Sequence, residues 1–339
     1  MALQGYDEGF FMRWIMGNMV GKDIILVVAL GLALNISGGC RTPLRTFVIG
    51  IAGHSSIDTA GVKGFKAGMA ELGYVEGQNI KYIFKSVLET DIQDMDNGIR
   101  ELLSQDIDLL LTTGEMVSVR ANGLVKGTAV PLLFIGNSHP VENGLVATMS
   151  HPGGYATGVR VVDNVPKALE FLVMVTPGAK KVYLPYDPKD DVTTVNLPVV
   201  SRTASQLGIE VVFQEIHSIE DAVKGIEALP DDVNAIFCIP SRTLNAGNIE
   251  LSRAAIRQGK ALGAAIALDE EVLVTFSTDF FDTGKKAARL AQQVLNGVRP
   301  ADIPVESSEV YLTINLKTAE KIGIKIPNSI LAQANKIIR

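Results

Sequence analysis

Short apolar runs alternate with amphipathic segments from residue 45 onward, and this alternation limits the possible folds more than any other feature of the sequence. The first series contains β-like runs at 45–53, 79–84, 108–113 and 131–136, and a second series follows between residues 180 and 268. Strands that alternate with helices predict parallel sheets with helices on their faces. A glycine-rich segment at 151–158 separates the two series and is typical of a crossover or hinge. We therefore predict an α/β protein with two Rossmann-like lobes, built on parallel sheets and joined by a hinge.

An apolar segment near the N-terminus predicts export. Residues 24–34 are eleven apolar positions, preceded by Arg13 and Lys22. Such a helix would span about half of a bilayer's hydrocarbon core, which suits a secretory signal better than a transmembrane helix. Asp23 directly before the run and the long upstream region leave the starting methionine open among Met1, Met12, Met16 and Met19. A buried N-terminal helix is the alternative interpretation.

Cys40 lies directly after this segment and is a candidate for lipidation. Two small residues, Gly38 and Gly39, precede it, as in the bacterial lipoprotein signals that this leader resembles. Ser37 departs from that pattern, which has a leucine-like residue three positions before the cysteine. We predict that residues 1–40 form a leader and that Cys40 becomes a lipid anchor. Simple cleavage and release is the alternative.

Charge and cysteine content exclude other classes of protein. The net charge is −6, and no block of Lys or Arg interrupts the sequence, which argues against nucleic acid as a partner. The two cysteines, Cys40 and Cys238, do not support a disulfide framework once Cys40 is lipidated or removed. Cys238 lies in the apolar run NAIFCIP, and we predict that it is a buried core residue.

The sequence lacks the motifs of common catalytic sites. It contains no GxSxG, no GxxxxGK[ST] and no HExxH. The four histidines are far apart, although His54 and His139 follow predicted strands and are either ligand contacts or solvated loop residues. The acidic segment DPKDD (187–191) does not match a calcium loop and suits a solvated helix start. We expect no enzymatic activity, no metal and no cofactor.

Polar or glycine-containing loops follow most of the predicted strands. In open α/β sheets, ligands bind at the carboxyl ends of the strands, where helix N-termini present free N–H groups. Two lobes with such loops favour a cleft that closes on a small molecule. The loops are AGHSSID (52–58), TTGEM (112–116), GNSHP (136–140), YDPKDD (186–191), PSRT (240–243) and FSTDF (276–280).

Three longer segments resemble a known bacterial family. They are GFKAGMAELGYVEGQNI (64–80), HPGGYATGV (151–159) and PVESSEVYLTINLKTAEKIGIKIPNSILAQA (304–334). With them, the chain from about Phe47 to Ile338 is similar to ABC-transporter substrate-binding proteins of the type I periplasmic binding protein fold. The group it resembles contains the tryptophan/tyrosine-binding (TrpX-like) proteins.

The resemblance implies an extracytoplasmic receptor that binds a small solute, possibly an amino acid, between its lobes and delivers it to an ABC permease. The protein is then exported and either anchored to the cell membrane by lipid or periplasmic. The implied first lobe comprises 46–158 with about 281–309, and the second comprises 159–280 with about 310–339. The implied ligand-binding residues are Ser55, Ser56, Asp58, Thr113, Gly114, Glu115, Asn137 and Ser138 in the first lobe, and Asp187, Ser241, Asp269 and Phe276 in the second.

A zwitterionic ligand requires donors for its carboxylate and an acid for its ammonium group. Asp58, Asp187 and Asp269 are the candidate acids, and helix capping is an equal alternative for Asp58. Two departures from the family pattern alter the expected binding surface. Glu115 stands where relatives often carry Pro or Ala, and Arg242 lies in a loop that is usually less basic. The ligand is therefore not fixed as an aromatic amino acid.

Two other functions share this architecture. The first is a free-standing ligand sensor that acts on a signalling partner. The second is an enzyme with two α/β lobes, such as a racemase, which would need paired acid/base residues across the cleft. A racemase that uses two cysteine thiols is excluded if Cys40 is lipidated or removed, because Cys238 is then the one remaining thiol in the sequence.

Overall fold

The computed structural model describes residues 45–53, 59–88, 91–245, 248–266 and 271–339. The leader at 1–40 and Cys40 lie outside these residues. The first part of the chain forms β1 (Phe47–Gly53), α1 (Ala60–Glu71), β2 (Ile80–Ser86), α2 (Ile92–Leu103), β3 (Leu109–Thr113), α3 (Glu115–Leu124), β4 (Leu132–Asn137) and β5 (Ala156–Arg160).

The remaining elements continue the same alternation up to β10. They are α4 (Val165–Val175), β6 (Lys181–Tyr186), α5 (Asp191–Thr194), α6 (Leu197–Leu207), β7 (Glu210–Glu215), α7 (Ile219–Glu227), β8 (Ala235–Cys238), α8 (Arg242–Asn245), α9 (Asn248–Arg257), β9 (Ala261–Ala264), β10 (Val274–Thr278) and α10 (Phe280–Leu295). After a 3-10 helix at Pro300–Asp302, the chain ends with β11 (Glu306–Ser307), β12 (Val310–Asn315), α11 (Leu316–Lys321), α12 (Asn328–Leu331) and β13 (Lys336–Ile338).

These strands form two sheets. The six-stranded sheet has the order β11-β5-β4-β3-β1-β2, and all its strand pairs are parallel. The seven-stranded sheet has the order β13-β12-β10-β9-β8-β6-β7. The predicted α/β fold with two parallel-dominated sheets is confirmed. We refer to each sheet with its packed helices as the first and second lobe, while the exact lobe boundaries stay a prediction.

One pair in the second sheet, β10 with β12, is antiparallel. The chain leaves the second sheet at the carboxyl end of β10 and returns to it at the start of β12. Since departure and return occur at the same edge, β12 has to run back beside β10. The alternation pattern in the sequence does not contain this information.

The glycine-rich segment at 151–158, predicted as a crossover or hinge, is not where the chain crosses between the sheets. Its last three residues begin β5, and a Cβ atom at Gly158 would lie 2.2 Å from the carbonyl oxygen of Phe134. Glycine there allows two neighbouring strands to pack closely. The chain instead crosses between the sheets at 161–164, 279 and 308–309.

Ser308 connects the three crossovers. Its hydroxyl oxygen accepts a hydrogen bond from the Val162 N–H at 3.2 Å and lies 3.4 Å from the Thr278 hydroxyl oxygen. The Ser308 N–H donates to the carbonyl oxygen of Arg160 at 2.8 Å. This buried side chain therefore joins the three strand ends at which the lobes meet.

The central strands of each sheet are buried on both faces, which explains why they are continuous apolar runs. In β1, Ile49 and Ile51 pack on the face covered by α1 and α10, while Ala52 packs on the face covered by α2 and α3. In β8, Phe237 and Cys238 pack on opposite faces in the same way. Cys238 is thus a fully buried core residue, as predicted.

Helices α1 and α10 cross at glycines. A Cβ atom at Gly64 would lie 1.9 Å from the carbonyl oxygen of Phe281, and one at Gly284 would lie 2.0 Å from the carbonyl oxygen of Gly61. The two backbones are therefore in direct contact. This contact fixes α10 on the first lobe immediately after the crossover at Asp279.

Candidate functional site

A cavity of about 360 Å³ lies at the carboxyl ends of β3 and β4. Its wall consists of small residues, backbone and one aromatic ring. The lining residues are Thr59, Ala60, Gly61, Thr113, Gly114, Ile135, Gly136 and Phe280. Thr113 and Gly114 were predicted from the sequence as binding residues, and the structure places both in this wall.

A second cavity of about 600 Å³ shares Ala60 and Phe280 with the first. It extends along β10, β12 and β13 of the second lobe, where Thr275, Ser277 and Thr313 line it. Residues from both lobes contribute to this wall. Together the two cavities form a space between the lobes that is suitable for a small molecule.

Backbone at Gly114 and Gly136 forms part of the smaller cavity. Gly114 precedes α3 with a φ of 101°, and no side chain caps the N-terminus of that helix. Gly136 has a φ of 89°, and its Cβ position would lie 3.6 Å from the Gly114 nitrogen. Both backbone conformations disfavour any other residue. The Gly114 N–H donates to the carbonyl oxygen of Ile135 at 3.1 Å, which ties the two strand ends together.

Asn137 follows Gly136 and is completely buried. Its Oδ1 accepts a hydrogen bond from the His139 N–H at 3.0 Å and lies 3.5 Å from Nδ2 of Asn143. Within the part of the chain that the structure describes, its Nδ2 has no hydrogen-bond partner. An unpaired buried donor costs about 1–3 kcal/mol, so an acceptor supplied by a ligand would be favourable here.

Glu115 connects α3 to the loop after β4. Its Oε1 accepts a hydrogen bond from Nδ2 of Asn143 at 2.6 Å, and its Oε2 accepts one from the Ser138 N–H at 3.4 Å. The carboxylate is therefore used within the first lobe. The structure explains Glu115 and Ser138 as partners, and direct ligand contact by either residue stays a prediction.

Asp187 provides an accessible carboxylate in the second lobe. It is half-buried and accepts hydrogen bonds from the Lys189 N–H at 2.9 Å and the Thr243 hydroxyl at 2.8 Å. Burial by itself would raise the pKa of this carboxyl group, but these hydrogen bonds and the positive charges of His217 and Lys189 outweigh it and lower the pKa. Among the described residues, no Lys or Arg forms an ion pair with Asp187. The group is ionised at neutral pH and has lone pairs left for a ligand.

Arg242, unusual for its loop, pairs with a different acid. The buried Asp190 accepts hydrogen bonds from the Arg242 N–H at 2.6 Å and from its guanidinium group at 3.2 Å. The Ser241 hydroxyl oxygen accepts the Leu244 N–H at 3.2 Å. The bonds between Asp190 and Arg242 hold the loops after β6 and β8 together. Arg242 therefore has a structural role, and the ligand contact by Ser241 stays a prediction.

The remaining predicted residues fall into two groups. Phe276 packs against Phe171 with ring centroids 5.2 Å apart, in the core on one face of the second sheet. Its neighbours Thr275 and Ser277 line the cavity instead. Any ligand contact by Phe276 stays a prediction. Ser55, Ser56, Asp58 and Asp269 lie outside the described residues.

Phe280 was missed as an individual residue by the sequence reasoning. It begins α10, is 43% exposed and lines both cavities. The sequence predicts FSTDF (276–280) as a loop at a strand end, and the family resemblance implies a ligand contact by Phe276 rather than by Phe280. The sequence signal for Phe280 is the pair of adjacent aromatic residues, Phe280 and Phe281, directly after a predicted strand end.

In residues 45–53, 59–88, 91–245, 248–266 and 271–339, no group of three or more His, Cys, Asp or Glu side chains could hold a metal ion. Within the same ranges, no helix is both long and apolar enough to cross a membrane.

Two α/β lobes with three crossovers and a cavity between them are the architecture of the type I periplasmic binding proteins. Residues 46–338 match the family of ABC transporter substrate binding proteins, and the chain belongs to this family. Its members bind solutes and are not classed as enzymes. Function with an ABC transporter outside the cytoplasm is the family's property.

Several known proteins are similar to this chain. A tyrosine-binding protein of Clostridioides difficile (strain R20291) is 26% identical over 278 residues, which are 80% of this chain and 79% of that protein. The crystal structure of an ABC domain from Streptococcus pneumonia in complex with L-Trp is 25% identical, with a TM-score of 0.69 over 86% of this chain and 100% of that one. The ligand-free, open structure of a substrate-binding protein from Clostridium difficile shares the fold, with 22% identity and a TM-score of 0.65 over 86% of this chain and 99% of that one. The resemblance to the TrpX-like group is confirmed.

Proposed function

We propose that this protein is the extracytoplasmic receptor of an ABC importer and that it binds an amino acid between its lobes. The buried, unpaired Nδ2 of Asn137, the residue that follows the cavity-lining Gly136, carries this proposal. A carboxylate is the ligand group best suited to this donor and to the N-terminus of α3, which no side chain caps. The ionised Asp187 in the second lobe complements an ammonium group. The tyrosine- and tryptophan-binding relatives support an amino acid with an aromatic side chain as the first candidate.

Thermal unfolding of the purified protein tests this proposal. We expect L-tyrosine or L-tryptophan to raise the melting temperature, because a ligand at a hundred times its Kd stabilises the folded state by about 2.7 kcal/mol. The D-enantiomers at equal concentration are the matched control, since they place the ammonium and carboxylate groups differently. The absence of stabilisation by any of the twenty L-amino acids would contradict the proposal.

Delivery to a membrane permease distinguishes the importer from the sensor of the same fold. The importer requires that uptake of the bound amino acid depend on this protein. Uptake of radiolabelled ligand by cells with and without the gene is the measurement. Unchanged uptake together with tight binding would favour the free-standing sensor.

We also propose that residues 1–40 direct export and that Cys40 carries a lipid anchor. Both lie outside the described residues, and the family's extracytoplasmic role supports them. We expect a clickable fatty acid fed to the cells to label the wild-type protein and not Cys40→Ala. Equal labelling of both would contradict the anchor, while export without any label would leave cleavage and release as the pathway.

The proposed lobes comprise 46–158 with about 281–309 and 159–280 with about 310–339. Sheet membership supports this division, because β11 pairs with β5 of the first sheet while β12 and β13 belong to the second. Closure of the two lobes about their crossovers would enclose the ligand.

A further inference from the structure

The side chain of Glu115 is oriented toward the loop after β4 rather than lining either cavity. Each of its oxygens has a partner in that loop, the amide of Asn143 at 2.6 Å and the N–H of Ser138 at 3.4 Å. Glu115 is the first residue of α3 and follows Gly114, which lines the smaller cavity. It is therefore close to the candidate site but acts on neighbouring protein groups.

These bonds determine how the Asn143 carboxamide is oriented. A carboxylate has no proton to donate, so Asn143 must direct its Nδ2 toward Glu115. The same Nδ2 lies 3.5 Å from Oδ1 of Asn137. An Asn143 rotated by 180° would place its oxygen against two acceptors, and the short bond to Glu115 would be lost.

The orientation of Asn137 follows from this arrangement. Its Oδ1 lies between two donors, the N–H of His139 at 3.0 Å and Nδ2 of Asn143. A flipped Asn137 would direct its own N–H groups at both donors, which is unfavourable. Nδ2 is therefore fixed on the opposite side, where it has no partner among the described residues.

We propose that Glu115 and Asn143 are positioning residues that hold Asn137 as a hydrogen-bond donor, and that they thereby make the first lobe select solutes with a carboxylate. This inference depends on the proposed amino-acid site and identifies the group by which that site discriminates. A carboxylate offers only acceptors to Nδ2 of Asn137. An amine at the same place carries N–H donors that would face the N–H groups of Asn137. A carboxamide can bind only in the one orientation that turns its oxygen toward Nδ2.

Discrimination between acid and amide tests the proposal. Isothermal titration with L-tyrosine and L-tyrosinamide gives the ratio of their Kd values for each variant. We expect this preference for the acid to fall about tenfold in Asn137→Ala and by a similar factor in Glu115→Ala, as the loss of one oriented buried donor implies. The double variant should show no further fall, because both changes remove the same interaction.

Two further variants separate positioning from general damage. Glu115→Gln keeps an oxygen for Asn143 and should restore most of the preference. Glu142→Ala removes an exposed carboxylate from the same loop and should leave it unchanged. Equal weakening of acid and amide by Glu115→Ala, or additive losses in the double variant, would overturn the proposal.

A measurement without ligand keeps this test independent of the proposed function. In the wild-type protein, we expect the Nδ2 protons of Asn137 to give two resolved NMR signals that exchange slowly with solvent. In Glu115→Ala the side chain can rotate, and the signals should broaden or exchange faster. Unchanged signals would overturn the positioning role of Glu115 and Asn143. If no amino acid binds, the proposed function is wrong, and the carboxylate preference that depends on it is overturned as well.

Discussion

Replacing Gly64 by Ala should destabilise the protein by about 3 kcal/mol, at the upper end of the range for overpacking a core. The added Cβ atom would lie 1.9 Å from the carbonyl oxygen of Phe281, and that atom belongs to the backbone of α10. Rotation of a side chain cannot relieve the contact, so the two helices have to separate. The apolar surface between Phe65, Met69 and Ala288 would then be partly exposed.

Thermal unfolding followed by circular dichroism measures this effect. Gly123→Ala is a matched control, because Gly123 also lies in a helix but has no atom within 4 Å of its Cβ position. Alanine there should be neutral or stabilise the protein by about 0.5–1 kcal/mol through the backbone entropy of the unfolded chain. Equal melting temperatures for the two variants would show that α1 and α10 do not cross as closely as described.

Replacing Asp187 by Asn should weaken amino-acid binding by roughly 30-fold or more, the usual result when one member of a desolvated charge pair is removed. Asn has nearly the same shape and keeps an oxygen for the Lys189 N–H. It lacks the negative charge that we expect to pair with the ligand's ammonium group. Titration calorimetry with L-tyrosine measures the change in Kd.

Glu215→Gln controls for a general change of charge, since Glu215 is an exposed acid of the same lobe. Its affinity should be that of the wild-type protein. A loss of less than threefold in Asp187→Asn would exclude Asp187 as the ammonium partner. In that case the acid has to come from outside the described residues, where Asp58 and Asp269 are the remaining candidates.

The pH dependence of binding has a defined sign. Hydrogen bonds and nearby positive charge lower the pKa of Asp187 despite its burial, so the binding form is the ionised one over a wide range. The contribution of Asp187 should therefore be equal at pH 7 and pH 5, and its midpoint of loss should lie below the ordinary aspartate pKa of about 3.9. The difference in affinity between wild type and Asp187→Asn, compared at pH 7 and pH 5, measures this contribution alone. A difference that already shrinks at pH 5 would contradict a lowered pKa.

Local pattern determined a large part of this structure. Continuous apolar runs such as those of β1 and β8 have to be buried on both faces, and helical periodicity between them supplies the cover. The α/β class with two parallel-dominated sheets follows from that alternation. Turn and loop composition at strand ends also placed Thr113 and Gly114 at the cavity, because the carboxyl ends of parallel strands share one edge.

Local sequence pattern did not determine the roles of individual polar residues. Glu115 and Arg242 are departures from the family pattern in the sequence, but only the structure shows that they bond to Asn143 and Asp190. Phe276 and Phe280 are four residues apart in one loop motif, yet one ring packs in the core and the other lines both cavities. Phe276 lies within β10 and packs against Phe171, whereas Phe280 lies beyond the end of that strand, on the first turn of α10.

The sequence by itself determined the fold class, the family and the edge of the sheets at which a ligand is expected, because these depend on periodicity and on contiguous motifs. Only the tertiary structure decided which donors remain unpaired and which glycines are essential. The orientation of the Asn137 carboxamide depends, through Asn143, on Glu115 at the start of another helix, and the contact at Gly64 depends on a helix more than 200 residues further along the chain. Such contacts arise from distances between groups far apart in the sequence, and no local pattern encodes those distances.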